Sequence, residues 1–152
     1  MKKMIVRIGE GLGNQMFMYA HSYALSKKLK YSLYIDNTSG YFKTKNQGRN
    51  YELDKFNIST DLSDKKYKFD NYLSDLKRKI LKKIDIFREK KTFLIEQRDK
   101  NKITNYNDTA KGNFLDLLYI EGHYESEKYF KDFANVLKEK FTVKENYIGQ
   151  NN

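Results

Sequence analysis

The chain has 152 residues, with 30 Lys and Arg against 20 Asp and Glu, giving a formal net charge of +10. That length suits one domain with its own core, and 39% hydrophobic with 15% aromatic residues excludes a disordered polyelectrolyte. Without cysteine there is no disulfide framework or thiolate metal site, and two histidines cannot build a His-rich metal centre. No apolar run approaches the ~20 residues of a membrane-spanning helix.

The opening Met1-Lys2-Lys3 mimics the basic start of a secretory leader. Arg7, Gly9 and Glu10 cut the apolar stretch well short of the ~7–15 residues a leader needs, so the expected compartment is the cytoplasm. Residues 3–8 read as a short buried strand, followed by glycines at alternate positions, Gly9, Gly11 and Gly13. Such a turn can take positive φ and let backbone N–H groups approach a ligand. Asn14 to Lys30 follows as a helix, with Met16, Phe17, Ala20, Ala24, Leu25 and Leu29 on its apolar side. Its positive end would face the turn and favour an anion such as a nucleotide diphosphate. The same glycines also suit a tight turn that binds nothing. His21, on or beside the apolar face, reads as a partly buried, hydrogen-bonded histidine rather than a catalytic one.

Tyr31 to Asp36 reads as a second strand, which makes a right-handed βαβ unit and a parallel sheet. The dinucleotide pattern G-x-G-x-x-G fails at Asn14, although Asp36 ends the second strand where that fold grips a ribose. A nucleotide- or dinucleotide-binding module without transfer chemistry is therefore the alternative reading. Asn37 to Gly48 is a polar, aromatic loop that could border a cleft. Asp70 to Lys91 carries Leu73, Leu76, Ile80, Ile84 and Phe87 at steps of three and four among many lysines. This basic amphipathic helix is expected to set its stripe on the core, or else to lie on an anionic membrane. Residues 65–102 hold 14 Lys and Arg against 6 Asp and Glu, so a salt-sensitive membrane- or RNA-binding role is a third, lower reading. Thr92 to Glu96 is a candidate strand, Gln97 to Gly112 a loop, and a further strand ends at Gly122. Ser126 is placed to cap a helix with stripe Phe130, Phe133, Leu137 and Phe141.

The run Gly11-Leu12-Gly13-Asn14-Gln15-Met16-Phe17, directly after an N-terminal strand, resembles the signature of glycosyltransferase family 11, the bacterial α-1,2-fucosyltransferases. Arg49 with Glu52-Leu53 and Phe56 is similar to a second segment of that family. Gly122-His123-Tyr124-Glu125-Ser126-Glu127-Lys128-Tyr129-Phe130 is similar to a third, with His123, Tyr124 and Glu125 standing where Tyr, Trp and Gln are usual.

The resemblance implies an α/β, Rossmann-like domain over residues 1–152 with a mainly parallel sheet. It would be the N-terminal, acceptor-side half of a two-domain, GT-B-like enzyme. The implied reaction moves L-fucose from GDP-fucose to a galactoside in lipopolysaccharide or O-antigen biosynthesis, with no cofactor and no metal. Gly11, Gly13, Asn14 and Gln15 would face the interdomain cleft, and His123, Tyr124 and Glu125 would form part of a sugar-facing wall. The catalytic base is unassigned. The family's His-x-Arg-Arg-x-Asp segment, expected to hold the GDP diphosphate, is not in this sequence, which has no Arg-Arg pair. The implied partners are a nucleotide-sugar, a glycan acceptor, and a missing C-terminal domain or split-gene partner docking on an exposed apolar face. The basic helix adds the expectation of peripheral contact with an anionic membrane, at the inner face of the cytoplasmic membrane, and no specific nucleic acid is expected. By itself the chain is expected to transfer little.

Overall fold

Met4, Ile5 and Val6 are all buried, so the first strand is a continuous apolar run rather than an alternating one. That is the pattern of a strand inside a parallel sheet covered on both faces. The computed structural model describes residues 1–44, 47–96 and 108–148. In order its elements are β1 (Lys3–Arg7), α1 (Leu12–Leu29), β2 (Ser32–Asp36), α2 (Tyr72–Ile86), β3 (Lys91–Ile95), β4 (Phe114–Glu121) and α3 (Ala134–Lys140). The four strands form one sheet in the order β2-β1-β4-β3, and every pairing is parallel. Ile5 faces Tyr34 on β2 and Tyr119 on β4. The architecture is the α/β, Rossmann-like one expected.

Strand alternation divides the core. Val6, Leu118 and Ile120 pack toward α1 with Met18, Leu25 and Tyr124, while Ile5, Phe93 and Tyr119 meet Leu81 of α2 and the 67–69 turn on the other face. α1 is wrapped so fully that polar Gln15, His21, Ser22 and Ser26 are buried along with its apolar residues. It ends at Lys30 in the left-handed conformation (φ 59°), with the Tyr31 N–H returning to the Ser26 carbonyl.

Three expectations need correction. α1 starts at Leu12, with Gly11 as its N-cap, rather than at Asn14. Ser126 does not cap an α-helix: its Oγ accepts the Lys128 N–H at 3.4 Å, and two 3-10 turns precede α3. Phe130 and Phe133, at φ −137° and −115°, leave the helical region, yet Phe130, Phe133, Leu137 and Phe141 still reach the core.

The largest correction concerns α2. Its stripe of Leu73, Leu76, Ile80 and Ile84 points to solvent, and its buried residues are Asp75, Arg78 and Asp85. Polar groups of the sheet explain the inversion. Asp85 accepts the N–H groups of Thr92 and Phe93 at the start of β3, and Arg78 bridges Asp75 and Glu121 at 2.7 and 2.6 Å. Buried partners left unpaired would cost more than the exposed leucines lose. Most of the loop expected over Gln97 to Gly112 lies outside the described residues.

Candidate functional site

The chain leaves β1 toward one edge of the sheet and reaches β4 from the other. The carboxyl ends of β1 and β4 therefore flank the topological switch point, where open parallel sheets hold ligands. A cleft of about 260 Å³ opens there, with Arg7, Gly9 and Glu10 on one wall and Glu96, Gly122 and His123 on the other.

Close backbone approach shapes this cleft. A Cβ on Gly40 would sit 1.9 Å from the Ile8 carbonyl oxygen, so only glycine lets the loop after β2 press against the end of β1. Gly122 has φ +146°, and a Cβ there would lie 2.3 Å from Cβ of Glu96. Glu96 in turn accepts the N–H groups of His123 and Tyr124 at 2.8 and 3.0 Å, tying the end of β3 to the turn after β4. Two non-glycine residues beside the cleft, Glu10 (φ 64°) and Tyr124 (φ 52°), are left-handed. Such strain is held in place by surrounding contacts and concentrates at functional sites.

A charged network reaches the cleft through Glu121, which is one of its lining residues. Glu121 receives Arg78 at 2.6 Å and Lys82 at 2.8 Å. Burial pushes its carboxyl up, but the Lys82 hydrogen bond and the Arg78 charge outweigh burial and hold it below its ordinary value. Glu121 is thus a fixed anion, unsuited to taking a proton. Asp75 is likewise pushed up by burial, then pulled well below the carboxylate range by hydrogen bonds from Lys43 and Arg78.

The residues singled out from the sequence are only partly brought together. His123 lines the cleft, with its Nδ1 3.4 Å from Oε1 of half-exposed Glu125. Tyr124 is buried under it, flat against His21, so it supports the wall from behind. Gly11 is the N-cap of α1, and Gly13 and Asn14 lie in its first turn, directly after the cleft residue Glu10; none of the three lines the cleft itself. The positive φ expected of the glycines falls on Glu10 instead; Gly11 sits at φ −75°. Gln15 is fully buried and committed to the protein itself. Its amide donates to the carbonyls of Glu10 and Asn50 at 3.0 and 2.9 Å, and its oxygen accepts the Glu52 N–H at 2.9 Å. Arg49 pairs with Glu10, and Leu53 and Phe56 enter the core beside α1. The family-like segment around residue 50 is therefore clamped to the glycine turn.

His21 is more buried than expected, and neither of its ring nitrogens has a hydrogen-bond partner among the described residues. Asp36 is buried too. It accepts the N–H groups of Thr38 and Ser39 and the hydroxyls of Ser39 and Tyr119, which leaves no oxygen for a ribose. Sequence reasoning missed Arg7, Gly40 and Glu96. Gly40 was the legible signal, a lone glycine after a strand and short of the loop's end.

The first turn of α1 has no side-chain cap and no acidic residue, so no capping side chain occupies its free N–H groups. Nothing lies within 4 Å of a Cβ placed on Gly11 or Gly13. Neither glycine is needed for the chain's own packing, and both leave open space beside the cleft.

Fold and cleft together define an α/β parallel-sheet domain with a crevice at the carboxyl edge of the sheet. No protein-family model and no solved structure matches the chain. The alpha-1,2-colitosyltransferase of Escherichia coli is 32% identical over 142 residues, covering 93% of this chain and 46% of that protein. The O-antigen biosynthesis glycosyltransferase WbnK of Escherichia coli is 47% identical over 55 residues, 34% of this chain and 18% of that protein. The chain spans less than half the length of these relatives. Both are glycosyltransferases, and this chain is similar to that class of enzyme along nearly its whole length.

Proposed function

We propose that these 152 residues form the acceptor-side lobe of a cytoplasmic, family 11-type α-1,2-fucosyltransferase that moves L-fucose from GDP-fucose to a galactoside of an O-antigen-type glycan. The observation that carries this reading is the uncapped glycine turn at the switch-point cleft, in a chain that aligns with a glycosyltransferase over 142 residues. Open space over Gly11 and Gly13 suits a donor whose phosphates approach the N–H groups of α1.

In the reaction the acceptor hydroxyl attacks C1 of the sugar, the bond from C1 to the diphosphate oxygen breaks, and GDP leaves with inversion. His123 takes the hydroxyl proton, oriented by Glu125 against its Nδ1. A diphosphate leaving group handled without a metal needs paired cations, and among the described residues that line the cleft Arg7 alone is a Lys or Arg. The reading therefore calls for a second, arginine-bearing lobe.

The name of the colitosyltransferase makes a nucleotide-activated colitose the second donor to try. The test offers both donors and a panel of galactosides to the purified chain in EDTA. Saturation-transfer NMR should show galactoside contact that His123→Ala removes, and turnover should be negligible. Fast transfer by the chain alone overturns the two-lobe reading, and no contact with any galactoside overturns the acceptor role. The rival NAD- or FAD-binding reading loses its anchor, because Asp36 is sealed inside the fold.

A further inference from the structure

We propose that the outward face of α2 docks on an anionic phospholipid surface. Leu73, Leu76, Ile80 and Ile84 fall on one side of the helix at 3.6-residue spacing and are 81, 55, 50 and 44% exposed; Phe87, at the C-cap, is 91% exposed. A surface helix ordinarily turns such a stripe inward.

The charges on α2 are sorted by the same inversion. Its acids, Asp75 and Asp85, are buried against the sheet. The exposed charged residues of the helix, Lys77, Lys79 and Lys83, are all cationic, and Arg88 and Lys90 follow with one exposed acid, Glu89, between them. Lys77 borders the stripe on one side, with Lys79 and Lys83 on the other. An apolar ridge with lysines on both flanks and its acids withdrawn matches a membrane interface, where alkyl side chains enter the headgroup boundary and ammonium groups meet phosphates.

A protein partner fits this surface less well. The core of a protein–protein interface is depleted in lysine, whereas here lysines border the ridge along its length. Ile86 and Ile95 widen the ridge on one side, in a groove that Lys79, Lys82 and Lys83 also line, so lysines follow the apolar surface there too. Among the described residues no helix is long and apolar enough to span a bilayer, so this contact would be peripheral. The proposal does not depend on the transferase reading.

The test is co-sedimentation of the 152-residue chain with vesicles of phosphatidylcholine alone or with 30% phosphatidylglycerol. Binding is expected only with the anionic lipid and should weaken as salt rises. Ile80→Asp with Ile84→Asp should abolish it. Lys77→Glu and Lys83→Glu should each reduce it at least fivefold, the share that one lysine near an anionic surface contributes. All four side chains are exposed, so circular dichroism and thermal midpoints should stay unchanged. Loss of binding in both the aspartate and glutamate variants, with folding intact, supports the proposal. It is overturned if the chain ignores anionic vesicles, if binding survives the aspartate pair, or if the stripe proves to hold a dimer that Ile80→Asp dissolves with no lipid binding in either form.

Discussion

The imidazole of His21 lies flat on the phenol ring of Tyr124, with ring centroids 3.6 Å apart and planes within 10°. This contact joins the middle of α1 to the back of the cleft wall, and Tyr129 closes it edge-on at 5.0 Å. Burial, and then the charge of Lys28, depress the His21 pKa from 6.5 to about 3. The folded state therefore favours neutral imidazole, while the unfolded chain protonates it near pH 6.5. The stability this confers is present above pH 6.5 and is lost as the pH falls from there toward 3. Between neutral pH and pH 5 the loss from this group is about 2 kcal/mol. Urea midpoints at pH 7 and pH 5 should show it, and His21→Phe, which keeps the stack, should flatten that pH dependence. An unchanged slope in the variant would refute the assignment.

Gly40 and Gly11 form a matched pair for testing backbone approach. Alanine at Gly40 meets the Ile8 carbonyl oxygen at 1.9 Å, whereas alanine at Gly11 meets nothing within 4 Å. Gly40→Ala should destabilise by about 3 kcal/mol, at the upper end of overpacking effects, because the obstacle is backbone and cannot swing aside. Gly11→Ala, at φ −75°, should cost about 1 kcal/mol or less, through the poorer N-cap alone. Equal midpoints for the two variants in denaturant would contradict the close approach.

Gly13 separates fold from function. It lies in the first turn of α1 with open space around it. Alanine there should raise stability by about 0.5–1 kcal/mol, through helix propensity and reduced unfolded-state freedom. If the space is kept for the donor, Gly13→Ala should weaken GDP-fucose binding or transfer at least tenfold in the two-lobed enzyme. A variant that is more stable and equally active would show that the glycine serves no ligand.

Arg78 holds two buried carboxylates at once, Asp75 and Glu121. Arg78→Ala should cost about 3 kcal/mol, because it removes the buried cation between Asp75 and Glu121 and leaves them only the more exposed Lys43, Lys79 and Lys82. Pairing Arg78→Met with Glu121→Gln should recover a large part of that loss, since it removes charges rather than orphaning one. A double-mutant cycle in urea measures this, and additive losses would exclude the coupling.

The sequence was most legible where local chemistry decides local structure. The apolar run at Met4 to Val6, the alternate glycines, the apolar side of α1 and the strand ending at Asp36 were enough for a βαβ unit and a parallel sheet. Periodicity also found the stripes of α2 and of residues 130–141. Periodicity is blind, however, to which side of a helix meets the sheet. The α2 stripe turned outward because Glu121 and the first N–H groups of β3 needed Arg78 and Asp85, and those needs exist only once the strands are paired. The cleft divides in the same way. His123 was named from its motif, but Gln15 and Tyr124 from the same motifs are buried, each held by contacts made across the sheet and loops. Gly40, Arg7 and Glu96 became site residues through approaches between segments far apart in the chain. Those approaches are set by backbone sterics and by the pairing of buried polar groups, which no local stretch of sequence contains.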